Sequence, residues 1–162
     1  MRKSNFLNEV RKEGKLELVE PSEEICKSYL GKADNCLKSA KLLLQNELYE
    51  NSISMSYYAM YNSLLALFFR IGIKSENHSA SIILFKELFD RADLFKIISL
   101  AKKERIDKQY YVTSKEDTLT RNSAEDMYKK AEHFVLQIKL MINKLQIEEI
   151  EKIRRRFVSL FD

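Results

Sequence analysis

Tryptophan is absent from this 162-residue sequence; proline occurs once, glycine three times, cysteine twice and histidine twice. So little turn punctuation argues against a many-turned β fold and for long helices, an all-α architecture. Cys26 and Cys36 lie in what reads as one helix, about 15 Å apart along its axis, too far for a disulfide. Both read as small apolar packing residues. With no CxxC pair and so few histidines, a Cys/His zinc site lacks ligands, and neither metal nor cofactor is expected. The chain also has no glycine-rich phosphate loop, no paired-carboxylate arrangement and no nucleophile motif.

Long hydrophobic runs are missing as well. The apolar stretches fall short of the roughly 18 residues that cross a bilayer, and the N-terminal MRKSNFLNEVRKEG lacks the apolar core of a signal peptide. A cytoplasmic protein with no membrane partner is the expectation. Charged residues make up 32% of the chain with a formal net charge of +4. Both signs are interspersed, which suits a solvated surface with a slight preference for anionic partners.

The length suits one domain, and hydrophobic spacing predicts an up-and-down bundle of about five helices. A charged N-terminal arm, residues 1–21, precedes Pro21-Ser22, a helix start followed by an apolar stripe through Ile25, Tyr29, Ala33, Leu37, Ala40 and Leu44. Polar residues 46–51 break the pattern. Residues 52–72, SISMSYYAMYNSLLALFFRIG, are apolar or aromatic on nearly every face, the signature of a helix surrounded by its neighbours. Gly72 suits a left-handed cap, and Ser75, Glu76 and Asn77 offer capping oxygens for a third helix over 77–89. A fourth helix is predicted over 92–108, followed by a polar loop, residues 113–122. Ser123 with Asp126 resembles a capping box for a fifth helix, which ends near Leu145. Residues 146–162 read as a helical extension; if it leaves the core, its apolar face needs a partner, for which a second copy of the chain is the economical choice.

The stretch ERIDKQYYV, residues 104–112, ends the fourth helix with Arg105 ahead of Tyr110 and Tyr111. From about residue 22 to 145 the chain resembles a HEPN domain: the second helix YYAMYNSLLALFFRIG, a short loop from Lys74 to His78, the arginine-plus-aromatic segment, a polar loop, and a last helix containing KKAEHFVLQI. The resemblance implies a stand-alone protein that forms a homodimer, works with a small nucleotidyltransferase and serves in a toxin–antitoxin pair. This chain lacks the Gly-Ser and spaced aspartates of a nucleotidyltransferase, so that enzyme is the expected partner. Ribonuclease members of the family carry an Arg-x4-6-His motif here, sometimes extended as Arg-x4-His-x-Tyr, with two copies facing each other across the dimer.

Arg105 matches the motif's arginine, whereas its histidine position falls on Tyr110 and its tyrosine position on Val112. Metal-independent RNA cleavage needs a base for the 2′-hydroxyl and a cation for the phosphate. Arg105 suits the cation. An unperturbed Tyr110 is ionised to only about one part in a thousand at pH 7, a poor base. His78, at the start of one helix, and His133, midway along the last, read as polar or packing residues without local spacing to Arg105. The expected function is therefore a non-catalytic or weakly catalytic binding module, with a ribonuclease toxin using Arg105 and Tyr110 across a dimer as the alternative. In some family pairs the nucleotidyltransferase modifies a tyrosine beside the motif, which makes Tyr110 and Tyr111 candidate acceptors. Lys108, and the basic run Arg154, Arg155 and Arg156, are candidate contacts to RNA or an acidic partner.

Overall fold

A computed structural model describes residues 2–110 and 121–162, and for residues 2–4 and 108–110 the backbone alone. The described residues form seven helices and two short strands: α1 (Arg2–Lys12), β1 (Leu16–Leu18), α2 (Glu23–Gln45), α3 (Tyr49–Ile71), β2 (Ile73–Ser75), α4 (His78–Leu88), α5 (Ala92–Tyr110), α6 (Arg121–Lys144) and α7 (Ile147–Ser159). The all-α bundle expected from the sequence is the observed architecture.

Local chemistry sets the boundaries. Ser22 caps α2 by accepting from the Ile25 amide, and Asn77 caps α4 by accepting from the Ala80 amide at 2.9 Å, each satisfying a backbone donor that a helix start leaves without a partner. Gly72 ends α3 in the left-handed conformation, φ 74° and ψ 45°. Two boundaries differ from the sequence reading. α3 begins at Tyr49, because the chain reverses within residues 46–48, where Glu47 has φ 61°. α6 already runs from Arg121, so Ser123 lies inside that helix and is not its capping box.

α3 is the axis of the molecule. Its side chains from Ile53 to Ile71 include Tyr57, Met60, Leu64, Leu67 and Phe68, all fully buried, and it packs against α2, α4, α5, α6 and α7. The C-terminal tail does not leave this core. Leu145 and Gln146 interrupt the helix, and α7 turns back so that Ile150, Ile153 and Phe157 bury within the same cluster as α3 and α4 residues. Its apolar face is covered by its own chain, so the tail gives no argument for a dimer.

Residues 2–18 join the same body. Leu7 and Val10 of α1 enter the core, and β1 pairs antiparallel with β2, Leu16 opposite Ser75 and Leu18 opposite Ile73. Arg154 of α7 locks this corner: its Nη1 donates to the carbonyls of Val19, Ile71 and Gly72 at 2.9, 3.0 and 2.8 Å. A cation is well placed there, since the last carbonyls of α3 are the negative end of that helix. The short β2 and its turn then bring the start of α4 back against α3, which decides what faces Arg105.

Candidate functional site

Three of the four tyrosines of α3, Tyr57, Tyr58 and Tyr61, punctuate its apolar stretch, and a phenol hydroxyl taken into a core needs a partner. Tyr57 and Tyr61 are buried, and Tyr58 is half-buried. Tyr57 finds its partner at the first residue of α4, where its Oη lies 2.7 Å from His78 Nδ1. Tyr61 stacks on the same imidazole, with ring centroids 3.8 Å apart and planes 16° from parallel, and its hydroxyl reaches Ser81 Oγ. Tyr58 meets the imidazole edge-on. Ser81 in turn bonds Ser75 Oγ at 2.7 Å and donates to the Asn77 carbonyl. This polar thread fixes the start of α4 on α3, and His78 with it.

Arg105 arrives from α5 on the other side of the tyrosines. Its guanidinium carbon sits 5.2 Å from the Tyr57 ring centre and 5.4 Å from that of Tyr58, and Nη1 donates to Tyr58 Oη at 3.3 Å. Cation–π attraction of this kind holds a guanidinium in place while its remaining N–H groups keep their own directions. Lys102, one turn earlier on the same helix, donates from Nζ to Ser79 Oγ. The site is therefore a half-buried cluster of one guanidinium, one ammonium, one imidazole and three phenols, contributed by α3, α4 and α5.

Its electrostatics are positive. Burial pushes the His78 imidazole below its ordinary value, and the charges of Arg105 and Lys102 push it further the same way. Burial and Arg105 likewise lower the Lys102 ammonium. Burial raises the Tyr57 hydroxyl well above the usual phenol range and raises Tyr61 in the same direction, so both stay protonated at neutral pH. The charges of Arg105 and Lys102, which oppose a further cation here, favour an anion.

The depressed His78 value predicts an acid-side loss of stability. An unfolded chain's imidazole titrates near 6.5. Below that pH the unfolded state takes up a proton that the folded state refuses, so stability falls with pH until the lower folded value is passed. Urea midpoints measured across this window should fall in the wild type and fall less in His78→Gln; identical slopes would contradict the assignment.

Two clefts flank the cluster. Tyr58 forms one wall of a cavity of about 590 Å³ between α2 and α3, lined also by Leu42, Leu43, Asn51, Ser54 and Met55. Ser79 and Lys102 border a smaller one, about 230 Å³, between α4 and α5.

Of the residues singled out in the sequence, Arg105 is at the centre of this geometry. Lys108 and Tyr110 lie on the last turn of α5, where the backbone alone is described, and Tyr111 lies outside the described residues. Arg154 is turned inward onto backbone carbonyls. Arg155 is exposed, 3.9 Å from Glu151, and exposed Arg156 borders a separate groove with Lys144 and Lys152. His133 is exposed on α6. The sequence reading weighed His78 and set it aside as a polar or packing residue, and it did not single out Tyr57, Tyr58 or Lys102. The available signal was the set of tyrosine hydroxyls in an otherwise apolar helix, which had to be answered by polar groups on neighbouring elements. Among the described residues no group of three or more His, Cys, Asp or Glu side chains could hold a metal ion, and no helix is long and apolar enough to cross a membrane.

Comparison with known proteins matches residues 26–141 to the HEPN domain. A protein of Methanocaldococcus jannaschii named as a candidate toxin is 25% identical over 114 residues, 70% of this chain and 85% of that one. UPF0332 proteins of Thermotoga maritima and Gloeobacter violaceus are 33% and 34% identical over 67 and 56 residues. Those two matches cover 41% and 35% of this chain, and 51% and 44% of the relatives, about half of their length or less.

Proposed function

From the premise that the chain belongs to the HEPN domain family, we propose that it is an RNA-binding module of a toxin–antitoxin pair that engages the RNA backbone at Arg105. The observation that carries this reading is the seat of Arg105: a cation held over Tyr57 and Tyr58, with Lys102 one turn away on the same helix. Phosphate is the ligand such a site recognises, and an aromatic ring at its edge, as the half-buried Tyr58 is, suits an unstacked base. The similarity to a candidate toxin supports the biological setting.

The partner side of the proposal is a minimal nucleotidyltransferase acting on a homodimer of this chain, with Tyr110 and Tyr111 as acceptors of a nucleotidyl group. Light scattering of the purified chain should give a dimer mass. Intact mass after incubation with the partner and ATP should rise by one or more nucleotidyl groups, and the rise should vanish in the Tyr110→Phe/Tyr111→Phe double variant. A monomer, or addition that survives in the double variant, contradicts this part.

RNA binding itself is tested by titrating the full chain against a short single-stranded RNA of mixed sequence. Binding that weakens with added salt supports the proposal. Absence of binding at low ionic strength removes it.

A further inference from the structure

We infer that the cleft between α2 and α3 is a guanine pocket, so that RNA held at Arg105 binds best where a guanine stands beside the held phosphate. The inference rests on the RNA-binding reading above and adds to it a second site and a base. The turn between the two helices sets the cleft. Glu47, with φ 61°, reverses the chain, and Ser52 Oγ donates to the Ala40 carbonyl at 2.8 Å. The helices are thereby pinned close to the turn, and the cavity of about 590 Å³ lies between them, within the range of small-molecule sites.

Its walls have the composition a nucleobase needs. Leu42 and Leu43 come from α2, and Met55 and Tyr58 from α3, which supplies apolar and aromatic surface for the faces of a flat ring. Glu50, Ser54 and Tyr58 recur every four residues and so lie along one line of α3. That line rises about 12 Å from Glu50 to Tyr58. Its Tyr58 end touches the phosphate site, because Arg105 Nη1 donates to Tyr58 Oη at 3.3 Å. A nucleotide lying along the line has its phosphate at the guanidinium and the far edge of its base at the Glu50 carboxylate. Arg121, which reaches this turn from α6, pairs with Glu47 and Glu125, so Glu50 has no ion pair among the described residues.

The carboxylate selects the base. An ionised carboxylate only accepts, and it accepts most strongly through both oxygens at once. Guanine offers it two adjacent donors, N1–H and N2–H. Adenine and cytosine set an acceptor nitrogen beside their amino group, and uracil flanks its one N–H with carbonyl oxygens, so each turns a lone pair toward the carboxylate. Asn51, which lines the same cavity, carries an amide donor suited to the guanine O6.

The test is the affinity of the full chain, at fixed salt, for short RNAs that differ only at the central base: UUGUU, UUIUU with inosine, UUAUU and UUUUU. Wild type should bind the guanine RNA about tenfold more tightly than the adenine and uracil RNAs. Inosine, which lacks the N2 amino group, should fall between them. Glu50→Gln, an exposed position in the first turn of α3, turns a donor toward the guanine donors and should abolish the preference while leaving UUUUU binding unchanged. Ser54→Leu, which fills the cavity, should abolish it as well, with circular dichroism checking the fold of both variants. Arg105→Ala should weaken all the RNAs alike, since a phosphate contact carries no sequence information. Guanosine, which has no phosphate, isolates the pocket: its saturation-transfer NMR signal should appear with wild type and with Arg105→Ala and vanish with Glu50→Gln. Equal affinity of wild type for all the RNAs, or a guanine preference kept in Glu50→Gln and Ser54→Leu, overturns the pocket and leaves the RNA-binding reading intact. Loss of a dimer mass in Ser54→Leu with no change in preference also overturns it, and marks the cleft as a surface between copies. A guanosine signal without binding of any RNA by wild type overturns the RNA-binding reading and leaves the pocket; absence of both overturns both.

Discussion

Gly72→Ala should destabilise the protein by about 3–5 kcal/mol, enough to lower its melting temperature by roughly 10 °C. Two costs add. The residue has φ +74°, a region that costs an L-residue roughly 1–2 kcal/mol. A methyl carbon there would also lie 2.0 Å from Arg154 Nη1, 2.4 Å from the Val19 carbonyl oxygen and 2.9 Å from the Pro21 nitrogen. Two of those atoms are backbone, so Arg154 and the Val19–Pro21 segment must move, and charge-assisted bonds worth roughly 1.5–3 kcal/mol each are weakened. The other two glycines separate the terms. Gly14 has φ +72° with nothing within 4 Å, so Gly14→Ala should show only the backbone cost. Gly31 lies in α2 with open space around it, and Gly31→Ala should stabilise by about 0.5–1 kcal/mol through helix propensity. Denaturant midpoints of the three variants check the order. Equal losses in Gly72→Ala and Gly14→Ala would mean that the corner built by Arg154 is not as tight as described.

That corner also marks the limit of what the sequence could tell. The helical architecture was legible because its signals are local: the Ser22 and Asn77 caps, the left-handed Gly72, and the apolar residues around every face of α3. The β1–β2 pair was not, since three-residue strands carry no periodicity and exist only because residues 16–18 and 73–75 meet in space. The return of α7 was equally hidden. Its stripe of Ile150, Ile153 and Phe157 predicts a buried face but not which surface buries it, and the triple carbonyl contact of Arg154 has no sequence signature. Of the basic run offered as a contact to RNA or an acidic partner, one member, Arg154, is turned inward onto backbone carbonyls.

The candidate site divides in the same way. Arg105 was found from its place at the end of the fourth predicted helix, a local feature. His78 was judged by its distance along the chain from Arg105 and set aside, although β2 and the capped turn at Asn77 bring it to the tyrosines on which Arg105 rests. Chain spacing gives the geometry of groups on one helix. It says nothing about groups that share a third element, and here α3 is that element, with Tyr57 touching both His78 and Arg105.

Arg105→Ala should weaken RNA binding roughly 10- to 100-fold. The lower figure corresponds to about 1.4 kcal/mol and the upper to about 2.7 kcal/mol, the range expected for charge-assisted hydrogen bonds to a phosphate. Removing one phosphate contact should also lower the slope of log affinity against log salt by about one. Arg105→Lys keeps the charge and loses the planar fork that lies over Tyr57 and Tyr58, so it should recover only part of the loss. Lys102→Ala should produce a smaller loss, since Lys102 is a point charge one turn away and its own ammonium is disfavoured there. Circular dichroism of each variant separates these effects from unfolding, which matters for Arg105 because it packs on two core tyrosines.

The most direct measurement is the RNA-binding isotherm of wild type, Arg105→Ala and Arg105→Lys over a series of salt concentrations. The account predicts salt-dependent binding by wild type, a loss of at least tenfold with a shallower salt slope in Arg105→Ala, and an intermediate affinity in Arg105→Lys. Arg105→Ala binding RNA as tightly as wild type, with an unchanged slope, would contradict it.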